Sequence, residues 1–268
     1  MSAPLTVFVE GLGLWTPGLP DWERFAGVLR GDGAPLADMP ARPAPACLAS
    51  GERRRVPASV LIAIEAAAQA VGMSGRDPAT LPSLFVSAHG DGPVLDYLCE
   101  VQARAPAETS PTRFHNSVHN AAAGYWTIAT DCHESSCAGS ALDCSFAAGL
   151  LEAASQVLAE ARPVLLVAFD VAGTGPLGET ISSKLPFACA LVLAPAPSAA
   201  TRARLGLSLA PGAQCTEARH PRAAELAAGN VAARAAPLLE SLAGRGAADA
   251  TLAAAEGLGL TIHTEIVA

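Results

Sequence analysis

ALDCSFAAGLLEAASQVL, residues 141–158, and the PVLLVAFDV that follows at 163–171 decide the fold. The first is rich in good helix formers and predicts a helix from Cys144 to Glu160. The second is an unbroken apolar run that predicts a strand buried on both faces, and the segment before Cys144 reads as another strand. A strand, a helix and a strand in that order imply a right-handed crossover onto a mainly parallel sheet covered by helices. Cys144 sits where the helix begins.

Upstream, SLFVSAHGDG at 83–92 reads as a short strand ending in a glycine turn, followed by a helix from Val94 to Arg104. Residues 117–130 read as a second helix of small residues. Pro57 opens a helix whose stripe is Val60, Leu61, Ile64 and Ala68. Asp21 caps a helix carrying Trp22, Phe25, Val28 and Leu29. Residues 5–11 form a strand expected to break at GLG, and 31–50 read as a loop. Downstream, LPFACALVLAP (185–195) and ARLGLSLAP (203–211) read as antiparallel neighbours at a sheet edge. Residues 214–228 read as loop, Asn230 caps a helix through Leu242, and GLTIHTEIVA closes as an alternating strand.

The chain has 268 residues, 51% of them hydrophobic and 16% charged, which suits a globular protein with a sizeable core. AIEAAAQAV and TLAAAEGLGL mark a core expected to be helix-rich and built from small side chains. A net charge of −8 disfavours nucleic acid, which needs clustered Lys and Arg. The basic run Arg53–Arg55 reads as a solvated loop, its alternative being a docking place for an acidic partner. No basic region followed by an apolar stretch opens the chain, and no apolar run is long enough for a membrane span, so neither signal peptide nor anchor is expected. Seven scattered cysteines fit a reducing cytoplasm better than a disulfide framework.

A cysteine at a helix start has chemical use, because backbone N–H groups and the helix dipole stabilise a thiolate or an oxyanion. Cys144 is therefore a candidate acyl acceptor; its plain alternative is a buried thiol packed as a small hydrophobe. Acyl transfer also needs a proton carrier, usually histidine. His89, His115, His119 and His133 are available, each equally readable as a hydrogen-bonded loop histidine. Cys132, His133, Cys137 and Cys144 do not match zinc spacing, so no metal is expected. The GLG at 11–13 lacks a dinucleotide fingerprint. TSPTRFHNSVHNAAAGYWTIAT, 109–130, is the densest polar and aromatic stretch, holding Arg113, Phe114, His115, Asn116, His119, Asn120 and Tyr125. It reads as an interface or pocket wall, or as a helix cap.

VFVEGLGLWTPG, ERRRVPASVLIAIEAA, SAHGDG, SPTRFHNSVHNAAAGYWTIAT, SFAAGLLEA and PVLLVAFD, in this order, resemble β-ketoacyl synthases of the thiolase-fold group. The likeness is greatest to the short chain length factor subunits of aryl polyene gene clusters. It implies the N-terminal half of a thiolase fold, a five-stranded mixed sheet with helices on both faces, over residues 1–195. Residues 196–268 are expected as a short strand, helix and strand packed on the same domain. The resemblance puts Cys144 at or next to the nucleophile position. It also places His89 and the side chains Val94, Leu95, Tyr97 and Leu98 near a partner's acyl tunnel, with the 109–130 residues named above as tunnel or interface.

Active relatives carry two catalytic histidines in a second half. Here His220 lies in a polar loop and His263 in an alternating strand, neither in the glycine- and threonine-rich setting those histidines have, so that half is expected to be missing. The resemblance then implies a cytoplasmic, non-catalytic partner of a full-length β-ketoacyl synthase, with no cofactor of its own and its substrates on the phosphopantetheine of an acyl carrier protein. Because the family sheet continues across the dimer, an unpaired apolar edge is expected on this subunit. The alternatives are a small cysteine-dependent acyltransferase or condensing enzyme using Cys144 in a homodimer, and a structural scaffold.

Overall fold

Pro57 stands at the N-cap of a helix that runs Ala58–Ser74 and stops at Gly75 in the left-handed region. Eleven of its residues are buried, far more than one stripe, because it lies across the middle of a sheet. The computed structural model describes residues 4–244 and 246–267, so Ala268 of the expected terminal strand and Met1–Ala3 of the N-terminal reading lie outside it.

The elements in order are β1 (Leu5–Trp15), α1 (Trp22–Arg30), α2 (Ser50–Arg53), α3 (Ala58–Ser74), β2 (Ser83–Val86), α4 (Gly92–Arg104), α5 (Pro111–His115), α6 (Ala121–Thr130) and β3 (Ser136–Gly139). Then come α7 (Ser145–Glu160), β4 (Val164–Asp170), α8 (Leu177–Thr180), β5 (Phe187–Ala194), β6 (Ala203–Pro211), α9 (Pro221–Gly229), α10 (Ala236–Ala243), β7 (Ala248–Ala255) and β8 (Leu258–Ile266).

The strands form one mixed sheet ordered β3-β2-β4-β5-β1-β6-β8-β7. Residues 1–195 supply the five strands of the expected mixed sheet, β1–β5, and the segment after 196 adds three strands where two were expected: β6 pairs with β1 and carries β8 and β7 outward. The segment after 196 thus extends the same sheet. β2, β3 and β4 are parallel, as the crossover reading requires. On β4, Leu165, Val167 and Phe169 pack with α3, while Val164, Leu166 and Ala168 pack with α7, the two-faced burial its apolar run predicts. Over β6, β8 and β7 apolar packing occupies one face: Leu205, Ile262 and Leu252 point into the core. Arg204, His263 and Asp249 form ion pairs on the other face, so helices do not cover both sides throughout.

Four local expectations are corrected. The strand at the N-terminus does not stop at GLG but continues to Trp15 through a register shift between Val9 and Gly11. Its glycines are packing glycines: a Cβ on Gly11 or Gly13 would lie 1.9 Å from the carbonyl oxygen of Ala70 or Ala66 on α3. The strands 187–194 and 203–211 are not neighbours, since β1 lies between them and pairs with both. The loop expected at 214–228 contains α9, started by His220, whose Nδ1 accepts the N–H of Arg222 at 3.1 Å. The alanine run that suggested a helix-rich core is β7, hairpinned to β8 around Gly257.

Candidate functional site

The parallel strands β2, β3 and β4 end side by side, the place where open α/β sheets put their sites. The loop after β2 is held from beneath by Asp170, the last residue of β4. Its carboxylate accepts the Ser87 hydroxyl at 2.8 Å and the backbone N–H groups of Ala88 at 3.1 Å and His89 at 3.2 Å. Burial pushes the Asp170 pKa up, with those hydrogen bonds and the His89 ring opposing the rise. Ser87 Oγ also accepts the Gly90 N–H at 2.9 Å, and a ring nitrogen of His119 lies 3.1 Å from the Ser87 carbonyl. His89 and His119 therefore belong to one loop cluster. Ser140, in the loop after β3, donates to the Ala88 carbonyl at 3.1 Å and ties the two loops together.

Cys144 follows at the N-cap of α7, two residues beyond Leu142, which has φ 48°. The expectation that the helix start lowers its pKa is reversed. Burial is the largest influence and pushes the thiol up, Asp143 adds to it, and Arg234 opposes. The Cys144 N–H is spent on the Ala141 carbonyl at 3.0 Å, and the turn is closed by Ser145 Oγ on the Leu142 carbonyl at 2.6 Å. Among the described residues no hydrogen bond or ion pair joins Cys144 to a histidine. Beside it lies a cavity of about 480 Å³ between α7, α9 and β7, walled by Phe146, Leu252 and several alanines. Asp143 and Arg234 pair at 3.1 Å on its rim, near Cys215. None of these distant partners is predictable from local pattern.

The 109–130 residues do converge. The Arg113 guanidinium sits 4.0 Å over the Tyr97 ring, and the Tyr97 hydroxyl accepts the Ser110 N–H at 3.1 Å. Tyr125 donates to Asn116 Oδ1 at 3.0 Å and meets His115 edge-on. Burial pushes the Tyr125 pKa up, helped by Glu52 and opposed by that hydrogen bond. Asn116 Nδ2 donates to the Arg55 carbonyl at 3.3 Å. Asn120 begins α6 without a side-chain cap, and the expected 117–130 helix starts only at Ala121, preceded by α5. On α4, Val94 is buried, Leu95 is exposed, and Tyr97 and Leu98 are half-buried, so these four do not share one face. His263 lies on β8, with Nδ1 2.6 Å from Asp249 Oδ1.

β3 is an edge strand with its residues exposed or half-exposed, Cys137 among the exposed ones. Large apolar side chains crowd this end of the molecule: Ile128 on α6, which packs beside β3, is 76% exposed, and Leu142, just after β3, is 63% exposed. Phe114 and Val118 are exposed on the segment leading into α6. Sequence reasoning foresaw an apolar edge but missed Ile128 and Leu142, whose exposure depends on where the sheet ends. Among the described residues no group of side chains could hold a metal, and no helix is long and apolar enough to cross a membrane.

The family described as β-ketoacyl synthase, N-terminal domain, matches residues 30–243. No curated protein is matched by the sequence. A solved complex of a ketosynthase with its chain length factor from Xenorhabdus doucetiae contains a chain that is 22% identical, with a TM-score of 0.70 over 96% of this chain and 99% of that one. The ishigamide ketosynthase/chain length factor matches at 14% identity and TM-score 0.70, over 98% of this chain and 100% of that one. A β-ketoacyl synthase from Burkholderia phymatum matches at 12% identity and TM-score 0.64, with each chain covered in full, 100%. At such identities these likenesses show the fold, a thiolase-like ketosynthase fold.

Proposed function

The chain belongs to the β-ketoacyl synthase family, and from that premise we propose that it is a non-catalytic chain length factor. In this reading it pairs in the cytoplasm with a full-length β-ketoacyl synthase and shapes the tunnel in which a carrier-bound aryl polyene chain grows. The observation that carries the reading is the open β3 edge flanked by exposed Ile128 and Leu142, a surface that a second sheet and its helices would cover. The Cys144 thiol, whose pKa burial and Asp143 push up, supports it, because condensation starts from a thiolate. No cofactor is needed, since the substrates arrive on the phosphopantetheine of an acyl carrier protein, for which Arg53–Arg55 offer a basic surface.

A second reading, acyl transfer by Cys144 in a homodimer, draws on the apolar cavity next to that residue. Co-expression with a ketosynthase encoded beside it, mass measurement of the complex and a condensation assay with malonyl-loaded carrier separate the two. A one-to-one complex whose activity requires this chain and survives Cys144→Ala supports the first reading. An active homo-oligomer that Cys144→Ala silences overturns it.

A further inference from the structure

Arg42, Arg55 and Arg113 line one hollow of about 290 Å³ between the loop before α3, the start of α4 and α5. Elsewhere in the described chain some arginines are matched by carboxylates, as in Arg76 with Glu10 and Arg204 with Glu265. Among the described residues, Arg42, Arg55 and Arg113 have no carboxylate oxygen within the 4.0 Å of an ion pair. Three exposed arginines against the single carboxylate Asp91 leave the hollow net positive on a chain of net charge −8, a setting that favours an anion.

Two of the three are also fixed in place. Arg42 Nη2 donates to the Val56 carbonyl at 2.7 Å, and the Arg113 guanidinium lies 4.0 Å from the Tyr97 ring centre. Asn116, also in the wall, is held by the Tyr125 hydroxyl and the Arg55 carbonyl. The one carboxylate in the wall, Asp91, accepts the Ser59 hydroxyl at 2.6 Å and the Val94 N–H at 2.8 Å, which fix its position, and its charge offsets one of the three cations. Each guanidinium has N–H donors left over, and several guanidinium groups around one hollow suit a tetrahedral anion with several oxygens better than a carboxylate, whose two oxygens one guanidinium satisfies.

We propose that this hollow is a binding site for the phosphate group of a phosphate ester or of inorganic phosphate. The site does not depend on any chemistry at Cys144; it shares Arg55 with the basic surface assigned above to the acyl carrier protein, and its pantetheine source rests on that reading. Two sources share the chemistry: a free phosphate, and the phosphate of a pantetheine arm.

The test is calorimetric titration of the full chain, at constant ionic strength in chloride buffer, with inorganic phosphate, 4′-phosphopantetheine and pantetheine. Both phosphates bind saturably and pantetheine does not. Arg42→Gln and Arg55→Gln each weaken phosphate binding about tenfold, as losing a charge-assisted hydrogen bond does, and Arg113→Lys, which keeps the charge but not the fork, weakens it less. Arg24→Gln, on the exposed side of α1, binds as the parent does. Thermal melts of all variants confirm that the folded chain is being compared. Phosphopantetheine binding more tightly than phosphate identifies the arm as the source, and equal affinities identify a free phosphate. Absence of saturable phosphate binding, or equal affinity in the arginine variants, would overturn the site.

Discussion

Asp170 receives the backbone N–H of Ala88 on both of its carboxylate oxygens, each at 3.1 Å, joining the end of β4 to the loop that follows β2. With Ser87 and His89 also donating to it, the carboxylate is the floor of the loop cluster that carries His89 and His119. An amide in its place keeps one acceptor and turns an NH₂ toward donors. Asp170→Asn should therefore destabilise the chain by about 2–3 kcal/mol, the cost of leaving buried donors unpaired. Denaturant unfolding at neutral pH checks it, and a loss below experimental error would remove Asp170 from this role.

The same residue gives a pH dependence with a definite sign. Burial raises the Asp170 pKa above the unfolded carboxylate value, so ionisation costs more in the folded chain than in the unfolded one. That penalty is absent below the unfolded value of about 4 and complete once pH has risen past the folded value. The stability advantage of the parent over Asp170→Asn should shrink as pH rises across that window. Unfolding curves of the two proteins at stepped pH measure the gap, and a gap that widens with pH contradicts the raised pKa.

Cys144 should alkylate slowly. Its thiol is half-buried and pushed up first by burial and then by Asp143, whereas Cys137 lies exposed on the β3 edge. Iodoacetamide at mildly alkaline pH, followed by peptide mass mapping, should label Cys137 well before Cys144. Selective early labelling of Cys144 would instead mark an activated nucleophile and favour the homodimeric acyl-transfer reading.

Ile128→Glu tests the pairing surface. An isoleucine 76% exposed contributes little to the isolated fold, so the change should alter its stability by less than about 0.5 kcal/mol. Burying that glutamate against a partner is costly, and affinity for the cognate ketosynthase should fall at least about tenfold. Pull-down and titration with the tagged partner read the effect. Unchanged affinity would move the interface away from the β3 edge.

How much of this was legible depends on the range of the interactions. The crossover through α7 and β4 was readable because helix formers and an unbroken apolar strand are local patterns. The cap at Asp21 was readable too, accepting the Arg24 N–H at 2.7 Å, whereas Asn230, expected to cap a helix through Leu242, ends α9 and only bonds the Ala232 N–H at 2.8 Å, and α10 begins at Ala236. β7 was not, because Ala-rich sequence favours helix and only pairing with β8 makes ADATLAAA a strand. The convergence of Tyr97 with Arg113 was foreshadowed by the dense 109–130 segment. Asp170 beneath Ser87, and Arg234 beside Asp143, join residues far apart in sequence and leave no local trace.

Gly13 offers the sharpest test of the β1 and α3 packing. A Cβ there would fall 1.9 Å from the Ala66 carbonyl oxygen and 2.9 Å from the Ala70 nitrogen, both backbone atoms that no rotamer change can move. α3 would have to back away from the sheet, opening the core shared by Ala63, Ala66, Ala70 and Val192. Gly13→Ala should thus cost about 3 kcal/mol or more, at the upper end of overpacking effects. For a chain of this size that is a drop of roughly 6–12 °C in melting temperature. Gly27, on α1 with nothing within 4 Å of its would-be Cβ, is the matched control. Gly27→Ala should raise stability by about 0.5–1 kcal/mol, since alanine favours helix and restricts the unfolded chain. Parallel melts of the two variants decide the matter: if Gly13→Ala melts with the parent, α3 does not lie against β1 at that register.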